Sequence, residues 1–111
     1  MPYLILFEDN PEADPAIRNR LMPDHLAFLA AQDGAVIDAG PLFAADVDGA
    51  GAGDGAGAGD GVGRGGAWVV DVPDAKAAHA LVRADPFWPT GLRARVTVLD
   101  WRQVFRAGRV V

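Results

Sequence analysis

The chain has no cysteine and no serine. Without cysteine there are no disulfides, no thiolate nucleophile and no thiolate metal site. Without either residue, the Ser-His-Asp and Cys-His arrangements of covalent catalysis are excluded. Lysine occurs once, as Lys76, in what reads as an exposed helical turn, so it is the only candidate for a Schiff base. Histidine occurs twice, as His25 and His79, with no ligand spacing, so no metal site is expected. No apolar run approaches the roughly 18–20 residues of a membrane span. Positive charge is also scarce: 10 Lys and Arg against 15 Asp and Glu give a net charge of −5. Phosphate contacts need a basic surface, so a nucleic-acid partner is not expected. The late arginines, Arg93, Arg95, Arg102, Arg106 and Arg109, read as a solvated strand edge and tail. What survives these exclusions is acid–base work by His, Asp or Glu.

What is present suits one domain with one core: 111 residues, half of them apolar. The first strand follows Met1 with no basic segment or cleavage site, which makes the cytoplasm the default location. Tyr3-Leu4-Ile5-Leu6-Phe7 is a strand, apolar on both faces. Asp14-Pro15 reads as an N-cap and first helical residue. The helical pattern then runs to about Ala31, with Pro23 interrupting it. An interior proline removes a hydrogen bond, so a short kinked piece is expected, with a helix restarting at Pro23. Leu26, Leu29 and Ala30 form its apolar stripe, and Asp33-Gly34 ends it.

A second strand covers Ala35 to Ala39, bent or ended by Gly40-Pro41. A third is Ala67 to Val72. Asp74 caps a second helix whose apolar face is Ala75, Ala78, Leu81 and Val82. Asp85 precedes Pro86 and should end it. Arg93 to Trp101 is the last strand. The order β-α-β-β-α-β is α+β and ferredoxin-like: two helices cover one face of a four-stranded antiparallel sheet. The other face is left apolar and uncovered, and such patches mark interfaces. A homodimer packed through the sheet face is the expected assembly.

Residues 48–65 read DGAGAG, DGAGAG, DGVGRG. A dinucleotide-binding glycine motif needs a helix after it, and a strand follows here. A Walker loop needs GK[ST], which is absent. The hexads lack the apolar anchor of nine-residue calcium repeats. The stretch therefore reads as a flexible loop, residues 48–66, inserted between strands two and three; closing a longer loop costs only about 0.6 kcal/mol per doubling.

With that loop set aside, an ordered set of pieces stands out: Tyr3 to Phe7, Arg18, Pro23-Asp24-His25-Leu26, Ala39-Gly40-Pro41-Leu42, Ala84-Asp85-Pro86-Phe87, Gly91-Leu92 and Trp101 to Phe105. Together they resemble the YCII-related family of small bacterial proteins. The resemblance implies a dimeric α+β barrel over residues 1–105, with 106–111 as a tail. It also implies a His–Asp active site, His25 and Asp85, and elimination, isomerisation or other cofactor-free chemistry. Two positions depart from the pattern: Met22 stands where many members carry arginine, and Ala67 where many carry a serine beside the cleft.

Physical reasons support such a pair. His25 is expected in the first turn after Pro23, where the helix dipole disfavours imidazolium and leaves a ring able to accept a proton. Asp85 lies past a helix C-terminus, where a carboxylate needs a facing cation or donor. An imidazole N–H is such a donor, and Asp85 would then orient His25. Arg18 offers an anion contact; Gly40, Pro41, Phe87 and Trp88 complete the expected binding residues for a small, partly aromatic ligand. The alternatives are that Asp85 only shapes a turn, and that the protein is a non-catalytic dimeric module binding a small ligand or a protein.

Overall fold

The computed structural model describes residues 2–45 and 63–111. Strand β1 (Pro2–Asp9) leads to helix α1 (Ile17–Ala30), then β2 (Val36–Phe43), β3 (Gly63–Asp71), helix α2 (Ala75–Ala84) and β4 (Arg93–Asp100). A short 3-10 turn at Trp88–Thr90 precedes β4. The four strands form one sheet in the order β2-β3-β1-β4, every neighbouring pair antiparallel. This is the α+β, ferredoxin-like arrangement. Of the glycine-rich stretch, residues 48–62 lie outside the described residues. The expected loop 48–66 is corrected at its end: Gly63 to Gly66 are already the first residues of β3.

Alternation along the strands sends Ile5, Phe7, Trp68 and Val70 to the helix-covered face, where they are buried with Val72, Ala78 and Val82. A second, smaller cluster joins Ile17, Phe87 and Leu92. Among the described residues, no helix is long and apolar enough to cross a membrane.

Helix α1 departs from the sequence expectation. It is continuous, with Pro23 inside it. Pro23 and Asn19, whose carbonyl loses its partner, are both on the exposed side. Water can satisfy that carbonyl, while the opposite face is held by packing. That packed face is Ile17, Leu21, His25, Phe28 and Leu29; of the expected stripe only Leu29 belongs to it, and Leu26 is 56% exposed. Asp14 does not cap the helix. It makes a lead-in turn, its Oδ1 accepting from Ala16 N and its carbonyl from Ile17 N.

Strand β2 runs unbroken through Gly40-Pro41, pairing Pro41 with Gly66. It is an edge strand, where a missing N–H on the outer side breaks no ladder. Helix α2 begins as expected, with the Asp74 carboxylate accepting from Ala77 N at 2.8 Å. The expected tail forms a small hairpin, β5 (Phe105–Arg106) with β6 (Arg109–Val110).

Candidate active site

Two chain reversals aim the site residues inward. Asp85 takes an extended conformation (φ −67°, ψ 138°) ahead of Pro86, which stops α2 and turns its side chain into the protein. Six residues later Gly91 adopts the left-handed region (φ 77°), which favours glycine. Asn10 then clasps this turn, its N–H donating to Leu92 O at 2.7 Å and its amide to Gly91 O at 3.2 Å. The clasp fixes where β4, and hence Arg93, begins.

His25 and Asp85 meet. His25 Nδ1 lies 2.7 Å from Asp85 Oδ1, both residues buried. Asp85 has a second partner that the sequence reading missed: Arg93 Nη1 donates to Oδ2 at 2.6 Å. A carboxylate bound to a guanidinium can only accept, so Nδ1 of His25 carries the proton it donates. In the neutral ring that fixes the tautomer and puts the lone pair on Nε2. Nε2 has no partner among the described residues, nor is it sealed away from solvent.

Aromatic rings frame this unit. The His25 ring lies 4.5 Å from Phe87 and 5.9 Å from Trp68, tilted against both. The Arg93 guanidinium sits over Phe7 at 3.9 Å, with Trp68 and Phe87 just beyond at 5.2 and 5.4 Å. Burial pushes the Arg93 pKa down, and the Asp85 carboxylate opposes that shift. Arg93 is therefore not part of a solvated strand edge: its side chain is 7% exposed. The signal was indirect. A carboxylate past a helix end needed a cation, and Arg93 follows Asp85 by eight residues.

A cavity of about 80 Å³ opens beside the unit, lined by Arg18, His25, Gly40, Pro41, Phe87 and Arg93 together with Met22 and Trp68. Five expected residues, His25, Arg18, Gly40, Pro41 and Phe87, thus border one space, with Asp85 behind it. Trp88 does not. It begins the 3-10 turn, is 42% exposed, and lines a separate depression with His79 and Arg95. Arg18 is held by Asp9 through two hydrogen bonds, at 2.9 and 3.0 Å. His25 is mid-helix, so the dipole argument for its neutral form does not hold; the Asp85 contact orients its ring. Ala67 is in mid-strand and is not among the residues lining this cavity.

A family model for the YCII-related domain matches residues 1–102. Among solved structures, the chain is similar to 5-chloro-2-hydroxyhydroquinone dehydrochlorinase (TftG) from Burkholderia phenoliruptrix AC1100, in complex with 2,5-dihydroxybenzoquinone. The identity is 24%, over 93% of this chain and 95% of that one, with a TM-score of 0.71. No curated protein matches the chain.

Proposed function

The chain belongs to the YCII-related domain family, and from that premise we propose that it is a small acid–base enzyme with His25 as general base. The reaction is elimination or isomerisation of a small, partly aromatic molecule. One observation carries this reading: His25 Nδ1 meets Asp85 at 2.7 Å, and Nε2 has no partner among the described residues beside a cavity. Nε2 takes a proton from substrate carbon or oxygen. In an elimination the electron pair left behind forms the new double bond, the leaving group departs as an anion, and HX is the net loss. Asp85 balances the imidazolium as it forms. The dehydrochlorinase with the same fold, which acts on a chlorinated hydroxyhydroquinone, supports the elimination form.

The test is halide release from a panel of halogenated di- and trihydroxybenzenes. Wild-type protein should turn over at least one. His25→Gln should lose about 10²–10⁴-fold in rate, the usual worth of a general base, while its melting curve shows a folded protein. A folded His25→Gln variant with undiminished rate would sink the assignment. Met22, an apolar side chain in the cavity wall where many family members carry arginine, favours a second reading, a non-catalytic ligand-binding module. A ligand that binds at His25 and is recovered unchanged would favour that module.

The assembly proposed is a homodimer through the sheet face away from the helices. That face carries Ile37, Leu42 and Leu99, exposed by 55%, 45% and 42%, with Leu4 and Leu6 between them. A lone chain would leave this apolar surface in water. Sedimentation equilibrium should give twice the 11.6 kDa chain mass, and Leu99→Arg should return the protein to monomer. A wild-type monomer at every concentration would overturn the proposal.

A further inference from the structure

The charges around the cavity are arranged asymmetrically. Among the described residues that line it, two are cationic, Arg18 and Arg93, and none is acidic. Each cation has a carboxylate partner, but both partners lie behind the wall. Asp9 borders the adjoining cavity of about 410 Å³. The Asp85 side chain is fully buried. Each ion pair therefore contributes its arginine, and not its carboxylate, to the wall of the space beside His25.

Arg93 is the better placed of the two. Its guanidinium carbon lies over the Phe7 ring, 3.9 Å from the centroid. Among the described residues only Nη1 is bonded, to Asp85, and no side-chain nitrogen is buried without a partner. A guanidinium carries five N–H donors in a fixed fork, so donors remain. The wall also has a charge requirement. With His25 neutral, His25, Asp85 and Arg93 sum to zero. Once Nε2 takes a proton, two cations share one carboxylate, and the unit carries one net positive charge.

We infer that Arg93 is the anion-recognising residue of this cavity, assisted by Arg18, and that the reacting end of the ligand is an acidic oxygen: an enol, a phenol or a carboxylic acid. This rests on the acid–base reading and narrows its substrate class. When Nε2 removes a proton beside a carbonyl, or from a hydroxyl, the electron pair comes to rest on oxygen. A preorganised guanidinium at that oxygen stabilises the developing charge. A space of about 80 Å³ holds two or three waters at roughly 30 Å³ each. It admits the reacting edge of a planar molecule and leaves the remainder at the mouth.

The experiment compares two probes of nearly equal shape: 2,5-dihydroxybenzoquinone, an anion at neutral pH, and 2,5-dimethylbenzoquinone, which is neutral. Each is titrated into full-length protein by calorimetry, and into ¹⁵N-arginine-labelled protein by NMR. The anion should bind at least about tenfold more tightly, the worth of one charged hydrogen bond. It should shift the Arg93 Nε–H resonance, assigned by its loss in Arg93→Lys. In Arg93→Gln, checked for fold by circular dichroism, that preference should disappear; Arg93→Lys should keep part of it. Equal binding of the two quinones, no binding of either at millimolar concentration, or an Arg93 resonance that does not move would each overturn the inference. Turnover separates the two readings. Anion binding that depends on Arg93, with no His25-dependent turnover, would sink the enzyme and keep the anion site. His25-dependent turnover with no charge preference would do the reverse.

Discussion

Arg93→Met will lower the stability of the fold by about 3–5 kcal/mol, the usual cost of breaking a buried ion pair from one side. Methionine is unbranched and fills much of the space over Phe7, so the loss is chiefly electrostatic. The Asp85 side chain is fully buried and has two partners, His25 at 2.7 Å and Arg93 at 2.6 Å. Removing the guanidinium leaves a buried carboxylate dependent on one imidazole. Urea unfolding with an unchanged slope measures the loss. The companion variant is Arg93→Met with Asp85→Asn, which removes both charges and should recover a large part of it. The two changes must be non-additive, because the residues touch. Additivity within about 0.5 kcal/mol would show that the pair does not act as a unit. It follows that Asp85→Asn alone is a poor probe of catalysis: it strands Arg93 as well as releasing His25.

That coupling was the part of the site hardest to read from sequence. His25 and Asp85 could be singled out because each sits beside a signal that breaks a helix pattern, Pro23 and Pro86, within an ordered set of family-like pieces. Arg93 carries no such mark. An arginine opening a strand is ordinarily solvated, and only the Gly91 turn, clasped by Asn10, places this one against Asp85. The element order was legible because alternating apolar strands and capped helices are local properties. The faces of α1 were not. Proline stops a helix when its lost hydrogen bond is buried, and here the loss is on the water side. The expected apolar stripe was therefore displaced from the real one, which is centred on a polar residue, His25. A pattern search for apolar spacing passes over a buried histidine.

The glycine stretch gives the other large effect. Gly65→Ala is expected to cost about 3 kcal/mol, at the upper end for overpacking, and to lower the melting temperature by more than about 10 °C, at roughly 4–8 °C per kcal/mol for a domain near this size. Strand β3 lies between β1 and β2. A Cβ at Gly65 would overlap the Phe7 carbonyl oxygen and lie 2.8 Å from its carbonyl carbon. Backbone atoms cannot swing aside as the end of a side chain can, so the two central strands would have to part. The damage would reach the site, since the Phe7 ring carries Arg93 at 3.9 Å and the Gly65 carbonyl accepts from Arg18 at 3.4 Å. Gly40→Ala is the control. A Cβ there meets nothing within 4 Å, and its melting temperature should stay close to wild type. Should Gly65→Ala melt alongside Gly40→Ala, the close approach of β1 to β3 is wrong, and with it the seat of Arg93. Otherwise the last hexad, DGVGRG, ends in a glycine, Gly65, that packing against the Phe7 backbone requires. The sheet would then begin inside the sequence repeat, at Gly63, the first residue of β3.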